Sequence, residues 1–293
     1  MKFSKAEGLG NDFLIISQTM QPDVDWPALA IRICNRHTGI GADGHLVYQD
    51  SPQRSPGFFT MRVFNADGSE AEMSGNGIRC LAAYLCSEPR FGGDRICIET
   101  VSGDHWLQRL EAAHPWYWFL VDMGQPLPPT LPPGMTGTQG PEGMGQLIIP
   151  LAAGSVPATI TSMGNPHCTI FVNEFERTNW QEMGRHIESH SYFPKRTNVE
   201  FVRVVDRKRI EVRFWERGVG KTFSSGTGAS AAVVASVARG FTEREVEVET
   251  LGGRLQIHWK EDNRVYLKGP ARLIGEGEFY SDSGGEAQGF RSI

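Results

Sequence analysis

A short glycine-flanked element occurs twice in this chain. Ser74-Gly75-Asn76-Gly77 opens the stretch SGNGIRCLAAYLCSE, and Ser225-Gly226-Thr227-Gly228 opens SGTGASAAVVASVARG. The two serines lie 151 positions apart, about half of the 293 residues. Each element reads as a tight turn feeding an apolar helix of small residues. The first N–H groups of a helix have no intrahelical acceptor, and the positive end of the helix dipole lies there. Glycine lets a backbone approach closely. Two such starts could grip one anionic group from both sides, with Ser74 and Ser225 facing each other. A carboxylate suits that arrangement. Simple N-capping by each serine is the plainer alternative and stays open. A phosphate loop fits less well, because no GxxxxGK[ST] occurs and Lys221 precedes its turn.

Asn11, Asn65, Asn165 and Asn198 sit beside expected turns in strand-like surroundings. An Asn side chain donates and accepts at once, so such residues could hold an amino group and a carboxylate together. Each is equally suited to being a turn residue. Glu216-Arg217, just ahead of the second glycine turn, could bind a zwitterion or form a structural ion pair. His37 and His167 read as loop histidines, and His167 in GNPH is the better pocket candidate.

The elements that must position these groups follow from the pattern. A strand pair is expected over 3–17 around a turn at Gly8–Asp12. A helix is expected over Trp26–Cys34, with Pro27 in its first turn. Strands are expected at 45–48, 58–64, 95–101, 105–110 and 116–122. The Pro- and Gly-rich stretch 125–156 reads in part as a surface loop or a connection between lobes. Strands resume at 159–163, 168–172, 199–205, 209–215, 243–249, 253–259 and 263–267, with a short helix over Trp180–Glu188. The tail from about 270 reads as mostly irregular. Many strands surround few helices, so a doubly wound sheet describes the chain poorly.

The duplication extends past the glycine turns. Gly10-Asn11-Asp12 has an analogue in Gly164-Asn165-Pro166. Val63-Phe64-Asn65 and Phe214-Trp215-Glu216 each end nine residues before their serine. Recurrence in one order at near-constant offset implies two lobes of similar fold. The expected boundaries are 1–119 for the first lobe, with 271–293 returning to it, and 120–270 for the second.

Composition narrows the function classes. The formal net charge is -5 and no long basic run occurs, which argues against a nucleic-acid partner. No apolar run has signal-peptide or membrane-span length. Cys34, Cys80, Cys86, Cys97 and Cys168 form an odd, scattered set that reads as reduced thiols in a cytoplasmic protein. No CxxC or HExxH is present, so no metal site is expected.

The motifs GLGNDF (8–13), GIGADG (39–44), FNADGSEAEMSGNGIRC (64–80), SMGNPH (162–167), FPKRTNVEFV (193–202) and WERGVGKTFSSGTGAS (215–230) together resemble the diaminopimelate epimerase family. The resemblance implies an α/β fold of two pseudo-symmetric lobes, each a curved, mostly antiparallel sheet wrapped around a central helix. It implies a homodimeric isomerase of lysine biosynthesis that epimerises LL-diaminopimelate to meso-diaminopimelate without pyridoxal phosphate, metal or other cofactor. One group removes the α-proton and another redelivers one from the opposite face. By resemblance, Asn11, Asn65, Asn165, Asn198, Glu216 and Arg217 contact the substrate. Gly75, Asn76, Gly226 and Thr227 contribute to the α-carboxylate site, and His167 lies near the reacting centre. The family places a catalytic cysteine before GNG and another before GTG. At those positions this sequence reads Ser74 and Ser225, as though both had been replaced by serine. The resemblance therefore leaves alternatives: a relative that racemises, dehydrates or isomerises a related compound, or a catalytically weak amino-acid-binding protein.

Overall fold

The computed structural model describes residues 1–20, 24–51, 54, 56–89, 91–128, 138–139, 144–152 and 154–280. Two helices decide the architecture, α2 (Gly75–Ser87) and α4 (Gly226–Ala238). Gly226-Thr227-Gly228-Ala229-Ser230-Ala231-Ala232-Val233-Val234 has no polar face, and α4 is buried at almost every position from Gly226 to Ser236. A helix that is apolar all round must be covered all round. In α2, Gly75 to Ala83 and Leu85 are likewise buried. Curved sheets supply that cover, one wrapped around the central helix of each lobe.

In the first lobe a ring runs through β1 (Lys2–Gly8), β2 (Asn11–Ser17), β3 (Gly44–Asp50), β4 (Phe58–Asn65), β6 (Arg95–Thr100), β7 (Gly103–Ala113), β8 (Trp116–Asp122) and β18 (Val265–Glu278). β6 pairs with both β4 and β7, and β1 pairs with both β2 and β18, so the ring closes. Only β2–β3 and β4–β6 are parallel. The parallel pair β2–β3 is bridged by α1 (Trp26–Ile33), whose Asp25 cap accepts from Ala28 N–H at 3.1 Å. The second lobe repeats the plan with β11 (Gly154–Ser162), β12 (Pro166–Phe171), α3 (Trp180–Glu188), β13 (Asn198–Asp206), β14 (Arg209–Glu216), β16 (Glu245–Thr250) and β17 (Gly253–Trp259). Its parallel pairs are β12–β13 and β14–β16, matching the first lobe. Short strands β5 (Glu70–Ala71) and β15 (Gly220–Thr222) precede the two central helices in turn.

β18 joins the lobes. Its start pairs with β17, its middle with β8, and its end, from Arg272 to Glu278, with β1. This corrects the expectation of an irregular tail from about 270. The glycines that suggested irregularity pair with β1 instead, and a Cβ on Gly277 would lie 2.8 Å from the Phe3 ring. The stretch 125–156 is also more ordered than expected. β10 (Gly145–Leu151) pairs with β11 along its whole length, and β9 (Thr138–Gln139) pairs with its start. Residues 129–137, 140–143 and 153 of that stretch lie outside the described residues, as does the tail from 281.

One apolar cluster runs through both interiors, from Phe13, Ile78 and Leu81 to Val212, Val233 and Leu267. The lobes touch closely at a turn. Leu9 has φ 57°, and a Cβ on Gly252 would lie 1.7 Å from the Leu9 carbonyl oxygen. Gly252 is therefore required by the approach of the other lobe.

Candidate active site between the lobes

Ser74 and Ser225 occupy the same place in the two lobes. Each is extended, at φ −133°, ψ 117° and φ −136°, ψ 126°, and each caps the helix that follows. Ser74 Oγ accepts from Gly77 N–H at 3.0 Å, and Ser225 Oγ accepts from Gly228 N–H at 3.3 Å. Capping by both serines is therefore observed, and it leaves the remaining first-turn N–H groups free of these two oxygens. The helices meet end to end. A Cβ on Gly75 would lie 3.2 Å from Gly226 Cα, and a Cβ on Gly226 would lie 3.2 Å from Gly75 Cα. Gly75, Asn76, Gly226 and Thr227 contribute first-turn N–H groups that helix geometry leaves without intrahelical acceptors. Each helix start carries about half a positive charge, so placing two together is unfavourable until an anion lies between them.

Asn76 ties this junction together. It is 3% exposed. Its Nδ2 donates across the seam to the Ser224 carbonyl at 3.0 Å and lies 3.4 Å from Asn11 Oδ1. Asn11 Nδ2 in turn donates to Asp43 Oδ2 at 2.9 Å. Asp43 belongs to an ion cluster in which Arg36 reaches Asp12 and Asp43, both at 2.7 Å, and Lys5 reaches Asp12 at 3.0 Å. Burial raises the Asp12 carboxyl pKa, but Arg36 and Lys5 outweigh it and hold the group below its usual value.

The second lobe places acids beside its serine. Ser225 Oγ donates to Glu216 Oε2 at 3.0 Å. Burial pushes the Glu216 carboxyl up, opposed by the Ser225 hydroxyl and the nearby His167. His167 is fully buried on β12, not in a loop as expected. Its Nε2 lies 2.8 Å from Asn165 Oδ1 and its Nδ1 lies 2.7 Å from Glu200 Oε1. An amide oxygen only accepts, so Nε2 carries a hydrogen. The Nδ1–Glu200 contact then needs one further proton on either partner. Burial raises the Glu200 carboxyl, with His167 opposing, which makes that proton easy to retain.

Asn198 Nδ2 donates to the Pro166 carbonyl at 3.0 Å, and its Oδ1 accepts from Arg217 N–H at 2.9 Å. Arg217 reaches only the Lys195 carbonyl, at 3.5 Å, and no ion pair joins it to Glu216 among the described residues. Asn65 closes its own turn by donating to Ser69 Oγ at 3.0 Å. His37 is exposed, and its backbone N–H donates to Asn35 Oδ1 at 2.8 Å. Sequence reasoning missed Glu200 and Arg79. Both are charges set inside apolar runs, NVEFV and GIRCLAA, and that isolation is the signal that marks them.

The family model for diaminopimelate epimerase matches residues 3–127 and 159–274. The diaminopimelate epimerase of Pelotomaculum thermopropionicum is 44% identical over 286 residues, covering 95% of this chain and 99% of that protein. That of Heliobacterium modesticaldum is 43% identical over 284 residues, with coverages of 95% and 99%. Among solved structures, a phenazine biosynthesis protein of the PhzF family from Bacillus anthracis superposes with a TM-score of 0.70 at 13% identity, covering 96% of this chain and 99% of that one. A hydroxyproline epimerase from Agrobacterium vitis, with bound trans-4-hydroxy-L-proline, gives 0.63 at 13% identity, covering 94% and 90%. At such identities these two structures share the fold alone.

One part of the sequence reading needs correction. It describes the chain as a form in which both catalytic cysteines have been replaced by serine, and it leaves turnover uncertain on that ground. The chain carries five intact cysteines, Cys34, Cys80, Cys86, Cys97 and Cys168, all free, and the family match runs unbroken through 74 and 225. The cysteine-replaced description is withdrawn, together with the doubt about an enzyme that it carried. Burial pushes these thiols upward, Cys34 to about 12 and Cys86 and Cys97 to about 11, as expected of packed structural thiols. The groups at the two helix starts are the hydroxyls of Ser74 and Ser225. With its matched segments spanning both lobes and relatives aligned along nearly their full length, this chain belongs to the diaminopimelate epimerase family.

Proposed function

We propose that the paired helix starts hold the α-carboxylate of diaminopimelate while the protein epimerises LL-diaminopimelate to meso-diaminopimelate. Family membership supports the reaction. The end-to-end contact of Gly75 with Gly226 carries the assignment of the site. N–H groups of both helices converge where negative charge grows on the carboxylate as the α-proton leaves, so they stabilise the transition state more than the ground state.

Ser225 and Ser74 act from opposite faces. The α-carbon–hydrogen bond breaks as Ser225 Oγ takes the proton and passes its own to Glu216 Oε2. The electron pair stays on the substrate, delocalised into the carboxylate. Ser74 then delivers its hydroxyl proton to the other face, and exchange with water resets both groups. In the reverse direction the roles exchange. A serine hydroxyl is a weak acid, so a carboxylate acceptor whose pKa burial has raised is the feature that makes Ser225 serviceable. His167, held by Glu200 and Asn165, stands near Glu216 and opposes the rise of its pKa. Asn11, Asn65, Asn198 and Arg217 suit the polar remainder of an amino-acid substrate. No cofactor enters this scheme. No helix among the described residues is long and apolar enough to cross a membrane. A homodimer is the assembly that the family resemblance supports, and light scattering would test it.

Incubating the protein with each stereoisomer and resolving the products chromatographically tests the reading. Interconversion of the LL and meso forms toward one equilibrium ratio is expected. Binding of both isomers without interconversion would overturn it.

A further inference from the structure

Arg79 is the largest charged side chain in the interior, with no exposed surface. It projects from α2 five residues after Ser74. Its Nε donates to the Pro270 carbonyl on β18 at 3.1 Å, one terminal nitrogen to the Gly75 carbonyl at 2.8 Å, and the other to Asn76 Oδ1 at 2.7 Å. All of these acceptors are neutral. The guanidinium passes between two glycines: a Cβ on Gly8 would lie 3.4 Å from its terminal nitrogen, and one on Gly269 would lie 3.3 Å from Nε. The nearest carboxylate to influence it is Glu7, which is already bonded to Gly10 N–H and paired with Arg272 at 3.3 Å. Burial lowers the Arg79 pKa to about 10, so the group remains a cation at neutral pH.

This placement is costly for stability alone. A buried cation without an ion-pair partner is unfavourable, and the N-terminal part of a helix is the wrong end for positive charge. The corresponding residue on α4 is Ser230, which makes the single equivalent bond, to the Gly226 carbonyl at 2.9 Å, with no charge. Bracing the first turn therefore needs only a hydroxyl. The charge on the α2 side calls for a separate reason, and the converging helix starts just ahead of it provide one.

We propose that Arg79 is a positioning residue for the carboxylate site. It locks the first turn of α2 to β18 and, through Asn76, to Ser224 of the second lobe. Its guanidinium adds positive potential behind the helix start, and the carboxylate of the bound amino acid balances it. The inference rests on the functional reading above and deepens it.

The test compares Arg79→Gln and Arg79→Lys with wild type, measuring KM and kcat for LL-diaminopimelate. Gln can keep part of the bracing but not the charge, so KM should rise about tenfold or more while kcat falls less than about threefold. Lys keeps the charge with poorer bracing, so its KM should stay within about threefold of wild type. A purely structural role would instead lower kcat and melting temperature in both variants and leave KM unmoved. That outcome overturns the proposal, as does a tenfold KM rise in Arg79→Lys. If Arg79→Gln does not fold, Arg79→Lys decides through both parameters: KM and kcat each within about threefold of wild type supports the proposal, and a larger loss of kcat or an about tenfold rise of KM overturns it. A wild-type protein that fails to invert the substrate would defeat the functional reading. An active wild type with an unchanged KM in Arg79→Gln would defeat this inference only.

Discussion

The two lobes share a backbone plan and differ in electrical character where they meet. Nine residues before its serine, the first lobe has Asn65 and the second has Glu216. Two positions after the turn asparagine, the first has Phe13 and the second His167. Phe13 is paired in register with Gly44, and His167 with Asn198. Two residues further along each partner strand stand Leu46 and Glu200. A Cβ on Gly77 would meet Leu46 at 3.1 Å, while one on Gly228 would meet Glu200 Oε1 at 3.0 Å, which places the pair equivalently. One residue into those strands, His45 of the first lobe answers Val199 of the second. On the helices, Arg79 answers Ser230. Around Ser74 there is a cation and apolar packing. Around Ser225 there are two carboxyls and an imidazole. Duplication produces matching backbone donors at the two helix starts, which suits the symmetric carboxylate of the proposed function. Side-chain divergence then gives the two serines different neighbours.

The largest expected effect comes from deleting either hydroxyl. Ser74→Ala and Ser225→Ala should each lower epimerisation by about a thousandfold or more, with ligand binding by calorimetry retained. Equal loss from both would support action from two faces; near-normal turnover in either would break the scheme. Next, Glu216→Gln should cost about a hundredfold in kcat, whereas Asn65→Ala should act mainly on KM. If the two behave alike, the lobes are not chemically distinct. Glu216 must be ionised to accept a proton, and burial raises its pKa. Activity should therefore fall as pH drops, starting above the ordinary carboxylate range, and Glu216→Gln should remove that acid limb from the kcat profile. Changing both serines to cysteine sharpens the same point. A thiol near pKa 8.5 is a far stronger acid than a hydroxyl, so the double variant should turn over faster than wild type and depend less on Glu216.

The smallest effect concerns stability. His45 is fully buried against Trp26 and Phe64, and neither ring nitrogen has a hydrogen-bond partner. Burial, with a contribution from Arg62, lowers its pKa from 6.5 to about 4. The unfolded chain then binds more protons, so the stability is complete above pH about 6.5 and is lost as pH falls toward 4. Near pH 5 the loss is about 2 kcal/mol. His45→Val, which copies Val199 of the other lobe, should flatten that part of the stability curve in urea titrations.

Much of this was legible in the sequence because duplication leaves a periodic record. The SGNG and SGTG turns, the asparagines at 11 and 165, and the offset before each serine locate the helix starts and the seam. Strand alternation finds most of both sheets. The rest was hidden for physical reasons. Gly275 and Gly277 read as a loop, although both pair with β1 far away in sequence and Gly277 also admits the Phe3 ring. His167 sits after Gly164-Asn165-Pro166 and reads as loop, although Pro166 begins a strand whose partner lies 32 residues on. Arg79 and Glu200 interrupt apolar runs, a signal in the sequence, but their partners come from distant segments and appear only in three dimensions. The five cysteines were legible as reduced thiols, and all five are free.

Isotope incorporation tests the central claim most directly. LL-diaminopimelate is incubated with the protein in D₂O, and both isomers are followed by proton NMR during the first turnovers. Two unequal groups on opposite faces predict one α-deuterium in the newly formed meso isomer and almost none in the recovered LL isomer. Deuterium appearing equally in both from the start would indicate a single group serving both faces and would contradict the account.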